Sequence, residues 1–164
     1  MSMRAAIITA SDSGYAGQRE DLSGSAIREI LEQNGYEVVR QILLPDDRKM
    51  LAEEMARIAD EGEAELLLTT GGTGFSPRDC MPEATADVSE RMVPGIPEAM
   101  RAYSMTITPR AMLSRAAAGI RRQTLIINLP GSPKAVRESL IYILPALGHG
   151  LDILTGRASD CARK

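Results

Sequence analysis

Apolar residues along the chain alternate between two spacings, one typical of buried strands and one typical of helices. Short, nearly continuous apolar runs predict strands that are covered on both faces. These runs span residues 5–10, 37–45, 64–70 and 123–131. Apolar residues at intervals of three and four predict helices. These helices span residues 21–35, 46–62 and 132–147, with shorter ones over 95–105 and 109–119.

This alternation determines the expected fold class. Strands that are buried on both faces and separated by helices form a parallel sheet, and right-handed crossovers place helices on both sides of it. We therefore expect a three-layer α/β fold with a mostly parallel sheet. A length of 164 residues matches one domain, residues 1–164, and we expect a mobile C-terminal tail from about residue 156.

Polar and glycine-rich segments follow all four predicted strands. They are SDSGYAGQREDLSG after the first strand, PDD after the second, GGTGFSPRD after the third and LPGSPK after the fourth. In a parallel sheet, ligands bind beyond the carboxyl ends of the strands. Because these four segments would meet at one edge of the sheet, the sequence predicts a binding site there.

The segment after the third strand contains three glycines within four residues, Gly71, Gly72 and Gly74. A simple turn rarely needs so many glycines, whereas a loop that wraps phosphate oxygens with its backbone N–H groups does. The spacing lacks the Lys-Ser/Thr ending of a P-loop and the G-x-G-x-x-G pattern of a dinucleotide-binding fold. The loop therefore predicts a phosphate-bearing ligand outside those two classes.

The other three segments also have purely structural interpretations. The segment after the first strand is suited to closing a turn, and residues 128–131 are suited to a strand-to-helix turn. Asp46 and Asp47 lie where a helix N-cap belongs, and two successive aspartates leave one of them free for other work. Lys134 lies near a predicted helix start, which is unfavourable for a cation unless an anion is close by.

Composition and charge argue against several classes of function. The net charge of -3 provides no basic field for nucleic acid, and one Phe with no Trp leaves few surfaces on which bases stack. A single histidine and two distant cysteines argue against a zinc site or a Ser-His nucleophile. No apolar run suits a signal peptide or a membrane span. We expect a cytoplasmic protein that binds neither nucleic acid nor a membrane.

The stretch TTGGTGFSPRDCMPEAT (69–85) closely resembles the signature of the molybdenum-cofactor biosynthesis proteins of the molybdopterin adenylyltransferase type, a family that includes the amino-terminal domain of gephyrin. PGIPEAMR, AMLSRAAAGI and IINLPGSPKAVRESL resemble the continuation of that family, and SDSGYAGQREDLSG resembles its amino-terminal motif. The resemblance covers nearly the whole chain. It implies an α/β domain that binds molybdopterin and a nucleotide, usually as a trimer.

The resemblance also implies roles for individual residues. Asp46 and Asp79 match the catalytic aspartates, which hold Mg2+ while AMP is transferred from ATP to the terminal phosphate of molybdopterin and pyrophosphate is released. Substrate-binding roles fall on Ser11, Asp12, Gly71, Gly72, Thr73, Gly74, Ser114, Arg115, Asn128, Pro130, Gly131, Ser132 and Lys134. The implied partners are further copies of the chain in a homotrimer and a downstream protein that inserts molybdate.

The residue types suit that chemistry. A terminal phosphate that attacks the α-phosphate of ATP is already ionised, so the site needs a cation and backbone donors more than a general base. Two alternatives stay open. One is a carrier or scaffold of the same fold that holds the pterin without adenylylating it, and the other is a nucleotide-processing enzyme that uses the same loop on another substrate. The presence of both Asp46 and Asp79 favours the enzyme, because a carrier needs no metal pair.

Overall fold

The computed structural model describes residues 2–158. The elements in chain order are β1 (Arg4–Ala10), α1 (Asp12–Tyr15), α2 (Leu22–Gln33), β2 (Glu37–Leu44), α3 (Arg48–Asp60), β3 (Leu66–Thr70), α4 (Met81–Val88), β4 (Arg91–Met92), α5 (Gly95–Met105), a 3₁₀ helix (Pro109–Leu113), β5 (Ala118–Arg121), β6 (Thr124–Leu129) and α6 (Pro133–Leu154). The four predicted strands and the helices over 21–35, 46–62, 95–105 and 132–147 are therefore confirmed, with shifted ends.

All six strands form one sheet in the order β2-β1-β3-β6-β5-β4. The neighbours β2, β1, β3 and β6 are parallel, and β5 and β4 are added through antiparallel pairs. The predicted mostly parallel sheet is confirmed. The chain passes from β1 outward to β2 and then returns to β3 on the other side of β1, so the strand order reverses between β1 and β3, where such sheets bind ligands.

Two apolar cores lie on opposite faces of this sheet. Alternate strand residues, such as Ile7 and Leu68, pack against α2, α5 and α6 on one face. The intervening residues, such as Ile8 and Leu67, pack against α3 and α4 on the other face. Because successive side chains of a strand point to opposite faces, the uninterrupted apolar runs supply both cores at once. The three-layer arrangement is confirmed.

The predicted helix over 109–119 is wrong beyond its first turn. A 3₁₀ helix ends at Leu113, and the alanine-rich remainder leads into strand β5. The backbone N–H and C=O of Ala117 both bond to Asn128, and a Cβ on Gly119 would lie 2.1 Å from the Ser89 hydroxyl oxygen. Hydrogen bonds and close packing with distant segments therefore override the helical preference of alanine.

The end of the chain lies only partly within the structure. Residues 159–164, which form most of the tail predicted to be mobile, lie outside the described residues. Residues 156–158 still bond to the end of α6, where the Ala158 N–H donates to the Asp152 carbonyl at 3.0 Å. Within residues 2–158, no helix combines the length and the apolar character that a bilayer crossing requires.

Candidate active site

Four loops meet at the carboxyl ends of β1, β2, β3 and β6. We call this edge of the sheet the C-terminal rim, and it consists of residues 11–12, 45–47, 71–80 and 130–132. These are the polar and glycine-rich segments that the sequence places after the four strands. The parallel pairing of the strands brings them together, so the predicted convergence of the loops is confirmed.

Asp12 and Asp46 hold the first two loops together. The Asp12 N–H donates to Asp46 Oδ2 at 3.1 Å, and the Asp46 N–H donates to Asp12 Oδ1 at 3.0 Å. Arg78 then donates to both carboxylate oxygens of Asp12, at 2.9 and 3.0 Å. One aspartate from each of two loops and an arginine from a third therefore form a single cluster.

The neighbouring Asp47 has a different task. Its carboxylate accepts the Met50 N–H at 2.9 Å and caps α3. This is the N-cap role that the sequence assigns to one of the two successive aspartates. Because Asp47 satisfies the helix end, the Asp46 carboxylate is left on the rim.

Two glycines of the loop after β3 adopt backbone angles that other residues avoid. Gly71 has a φ of 86° and Gly72 a φ of 72°, which is the left-handed region where a Cβ is disfavoured. A Cβ on Gly71 would also lie 2.3 Å from the Ala10 carbonyl oxygen. The loop therefore needs glycine both for its turn and for its close contact with β1.

Each of the two predicted catalytic aspartates lies against a glycine of this loop. A Cβ built on Gly72 would be 3.4 Å from Asp46 Oδ1, and one built on Gly74 would be 3.0 Å from Asp79 Oδ2. The Ser76 N–H donates to Asp79 Oδ2 at 3.0 Å, which orients that carboxylate. The absence of side chains on the two glycines leaves both carboxylates accessible from the loop.

The rim concentrates negative charge. Burial raises the pKa of Asp46 above its ordinary value, and the neighbouring charges of Asp12 and Asp79 raise it further. By contrast, hydrogen bonds from Arg78 lower the pKa of Asp12. A carboxylate whose ionised form is disfavoured by its neighbours gains from a cation placed beside it.

The donor atoms of Asp46 and Asp79 suit magnesium. Both residues offer hard carboxylate oxygens, which are the ligands that Mg2+ prefers. Across residues 2–158, no three His, Cys, Asp or Glu side chains come together as a complete metal site. Mg2+ commonly binds one or two carboxylates and takes its other ligands from water and substrate phosphates. The two aspartates fit that mode of binding and not an all-protein cage.

A cavity of about 430 Å³ opens at the reversal point between β1 and β3. Its walls include the first turns of α2 and α6 and the ends of both strands. Among the predicted site residues, it is lined by Ser11, Gly71, Gly131 and Ser132. The N-terminus of a helix favours anions, and two such ends border this cavity.

A second cavity, of about 300 Å³, lies on the other side of the same loop. It is enclosed by α5, the 3₁₀ helix and α6, and many of its lining side chains are apolar. Among the predicted site residues, it is lined by Thr73, Gly74, Ser114 and Pro130. The buried hydroxyl of Ser139 also faces it and has no hydrogen-bond partner among the described residues. The loop therefore separates two cavities, one on each side.

Comparison with known proteins identifies the family. The family model described as a probable molybdopterin binding domain matches residues 6–149. The chain belongs to this family. The predicted family is thereby confirmed.

Relatives of this molybdopterin-binding domain cover nearly its whole length. It is 43% identical over 153 residues to a molybdopterin adenylyltransferase of Helicobacter pylori, which covers 92% of this chain and 86% of that protein. It is 39% identical to gephyrin of Dictyostelium discoideum over 92% of this chain but only 22% of gephyrin. The molybdopterin biosynthesis enzyme MoaB of Thermus thermophilus has the same fold, with a TM-score of 0.89, 47% identity and coverage of 94% and 97% of the two chains.

Asn128 of the molybdopterin-binding domain is fully buried. Its side-chain amide donates to the hydroxyls of Thr69 and Thr85, at 3.0 and 2.8 Å, and its carbonyl accepts the Ala117 N–H at 3.1 Å. All of these partners are within the protein. The side chain thus joins β6 to β3, α4 and the segment before β5, and supports the rim from below.

Lys134 is exposed in the first turn of α6 and lines neither cavity. No hydrogen bond or ion pair connects its side chain to another residue in the range 2–158. The ligand-binding role of Lys134 therefore stays a prediction, as do the roles of the other residues of the rim.

The structure adds several residues that the sequence did not single out for binding. Asp21 caps α2 through the Gly24 N–H and accepts the Thr9 hydroxyl at 2.7 Å, and the Ser23 hydroxyl donates to the Gly131 carbonyl at 2.7 Å. Thr9, Asp21 and Ser23 line the first cavity. The available signal was the DLSG ending of the segment SDSGYAGQREDLSG, which resembles the amino-terminal motif of the family.

Proposed function

We propose that this protein transfers AMP from ATP to the terminal phosphate of molybdopterin and releases pyrophosphate, as a step in molybdenum cofactor biosynthesis. The observation that carries the proposal is the placement of Asp46 and Asp79 against Gly72 and Gly74, in a loop whose residues line two cavities. This arrangement occurs in a chain that is 43% identical to a molybdopterin adenylyltransferase over 92% of its length.

The chain contributes alignment and neutralisation of charge. The molybdopterin phosphate is already ionised and attacks the α-phosphate without a general base, so the main task is to hold the two phosphates in line. Backbone N–H groups of the glycine-rich loop are suited to hold phosphate oxygens, because left-handed backbone angles, such as the φ values of 86° and 72° at Gly71 and Gly72, occur in the backbone turns that bind anions.

Asp46 and Asp79 would hold the magnesium ion. When bound, Mg2+ neutralises the charge that develops on the phosphate oxygens and on the departing pyrophosphate. The two carboxylates keep their positions through bonds to the backbone, from Asp12 N–H to Asp46 and from Ser76 N–H to Asp79. Fixed ligands of this kind need little rearrangement during the reaction.

The two cavities suit the two substrates. The first cavity has the N-terminus of α6 in its wall, capped by the neutral Ser132, and this helix end suits the phosphates of the nucleotide. The second is lined by Pro97, Met100 and Leu113 and suits a flat ring system such as a pterin. The loop between them would bring the phosphates of both substrates to the same place.

The proposed assembly is a homotrimer. Large apolar side chains are exposed on α5, on the segment around the 3₁₀ helix and on α6, and they are Met105, Ile107, Met112, Leu113, Ile141 and Tyr142. Exposed apolar residues clustered in this way mark an interaction surface. A stable monomer at micromolar concentration in analytical ultracentrifugation would refute the trimer.

We also propose that the protein acts in the cytoplasm and passes its product to a protein that inserts molybdate.

The decisive test of function is pyrophosphate release. The purified protein is mixed with molybdopterin, ATP and Mg2+, and pyrophosphate and adenylylated pterin are measured. Omission of molybdopterin and addition of EDTA serve as controls and should abolish release. Molybdopterin binding without pyrophosphate release would support the carrier, and release with other phosphorylated substrates but not molybdopterin would support a different nucleotide-processing enzyme.

A further inference from the structure

One arginine holds both ends of the loop that carries Asp79. The Arg115 Nε donates to the Gly74 carbonyl at 2.8 Å, and its Nη2 donates to the Asp79 carbonyl at 3.1 Å. The backbone N–H of Arg115 also donates to the Thr73 carbonyl at 2.9 Å. A single residue thus bonds to the loop at its start and at its end.

The guanidinium is itself held in place by Glu83. Arg115 Nη1 lies 3.0 and 2.8 Å from the two carboxylate oxygens of Glu83, which lies in the first turn of α4. Both side chains are 35% exposed. The planar guanidinium can direct donors to three acceptors at once, which a lysine ammonium on a flexible stem cannot do with the same geometry.

The held loop determines where the Asp79 carboxylate points. Between its two anchored ends, the Ser76 N–H donates to Asp79 Oδ2 and the Asp79 N–H donates to the Ser76 carbonyl. If the anchor at Gly74 or at the Asp79 carbonyl is lost, the loop can move and carry the carboxylate with it. Displacement of a metal ligand or phosphate contact by about 1 Å can lower a rate by roughly 100-fold.

Arg115 is placed to organise the loop and not to bind substrate. It lines neither cavity, and its guanidinium is directed to protein carbonyls and to Glu83. We propose that Arg115 and Glu83 are positioning residues, which fix the carboxylate of Asp79 through the loop over residues 74–79. The inference rests on the proposed function, and it changes the role of Arg115 from substrate binding to support of a catalytic group.

The first test does not depend on catalysis. Hydrogen–deuterium exchange of the ligand-free protein is measured for wild type, Arg115→Lys and Glu83→Gln. Arg48→Lys is the matched control, because Arg48 also forms a two-bond ion pair with α4, through Asp87 at 2.8 Å, but does not touch the loop. We expect faster exchange over residues 74–79 in the first two variants only. Unchanged exchange there, or equal acceleration in Arg48→Lys, overturns the proposal.

The second test asks whether Arg115 acts through Asp79. Arg115→Lys should lower kcat by roughly 10- to 100-fold, as is typical of residues that orient metal ligands. It should raise the Mg2+ concentration required for half-maximal rate and leave the KM for ATP nearly unchanged. In an Asp79→Asn background, Arg115→Lys should lower kcat only slightly further, because residues that act through one another have non-additive effects. Additive losses would show that Arg115 does not act through Asp79, and a raised KM for ATP would indicate that Arg115 binds substrate; either result overturns the proposal.

The two tests also separate this inference from the proposed function. If the wild type releases no pyrophosphate, the proposed function fails, while the exchange measurement still decides whether Arg115 and Glu83 fix the loop. If the wild type is active and exchange over residues 74–79 is the same in all variants, only the positioning inference fails.

Discussion

The two ends of the sheet carry the same kinds of charged residue in opposite arrangements. At the amino ends of the strands, Asp60 pairs with Arg121 at 2.9 Å and with Arg122 at 2.8 Å, and Glu65 pairs with Arg4. Hydrogen bonds from Arg121 and then Arg122 lower the pKa of Asp60 to about 2. The carboxylates at this end are neutralised by the protein itself.

At the C-terminal rim, Asp47 caps α3, and the other three carboxylates are poorly matched by cations. Within residues 2–158, Arg78 alone forms an ion pair with any of Asp12, Asp46 and Asp79, and it pairs with Asp12. The pKa of Asp46 is raised there, first by burial and then by its acidic neighbours. The comparison suggests different roles for the two ends. The ion pairs at the amino ends of the strands stabilise the fold, whereas the unpaired carboxylates at the C-terminal rim are suited to binding a cation.

The largest expected effect is on the rate of AMP transfer and comes from removal of the carboxylate charges of Asp46 and Asp79. Asp46→Asn and Asp79→Asn should each lower the rate of AMP transfer by roughly 100- to 1000-fold, the usual cost of a lost electrostatic contact to the transition state. Pterin binding should persist, and asparagine can still accept the backbone N–H that each aspartate accepts. The measurement is pyrophosphate release, with Asp60→Asn as the control at the other end. Normal turnover in both rim variants would remove the metal site and favour the carrier.

A matched pair of glycines separates binding from backbone strain. Gly72 at the rim and Gly62 at the opposite end have φ values of 72° and 63°, so alanine at either position should destabilise the fold by about 1–2 kcal/mol. Only Gly72→Ala should also weaken ATP binding measured by calorimetry, because its Cβ would lie 3.4 Å from Asp46 Oδ1. A Cβ at Gly62 would meet no atom within 4 Å. Equal ATP affinity in the two folded variants would contradict a phosphate-binding loop.

Removal of a carboxylate charge should change the stability of the protein differently at the two ends of the sheet, at Asp60 and at Asp46. Asp60 has a lowered pKa, so its contribution is complete above its ordinary pKa of 3.8 and is lost as the pH falls through about 2. Asp46 has a raised pKa, so its ionisation opposes folding, and this loss of stability begins as the pH rises through the ordinary value of 3.8 and is complete above the raised pKa. At pH 7, Asp60→Asn should therefore lower Tm, and Asp46→Asn should keep or raise it.

Thermal unfolding followed by circular dichroism at pH 7 and at pH 3 checks this expectation. Both differences from wild type should shrink at pH 3, which lies below the ordinary pKa of 3.8. A lower Tm for Asp46→Asn at pH 7 would mean that Asp46 stabilises the fold, and the contrast between the two ends would disappear.

The smallest effect concerns the single arginine of the rim. Arg78 and Asp12 have side chains that are 63% and 44% exposed, so Arg78→Gln should change Tm very little. The pKa of Asp12, followed by carboxyl NMR, should nevertheless rise toward its ordinary value, because hydrogen bonds from Arg78 lower it most. Arg122→Gln should move the pKa of Asp60 less, since Arg121 remains. An equal rise in the pKa values of Asp12 and Asp60 would show that the carboxylates of the C-terminal rim are as well paired with cations as those at the other end.

Part of the site could be predicted because local chemistry restricts it. Asp46 and Asp47 follow β2 and precede α3, so one of the two was expected to cap that helix, and the structure shows that it is Asp47. The three glycines after β3 indicated more than a simple turn, and two of them, Gly71 and Gly72, have left-handed backbone angles there. These features depend on neighbours in sequence, so a single sequence is enough to predict them.

The sequence by itself determined that strands and helices alternate and that four loops meet at one edge of the sheet. It also determined which polar and glycine residues these loops bring to that edge. The tertiary structure decided which carboxylates stay unbalanced and what Arg115 holds, because the partners of the Arg115 side chain come from residues 32 to 41 positions away. It also decided that residues 118–121 form a strand and not a helix. Hydrogen bonds between distant segments form only when the sheet is assembled, so the spacing of residues along the chain does not predict them.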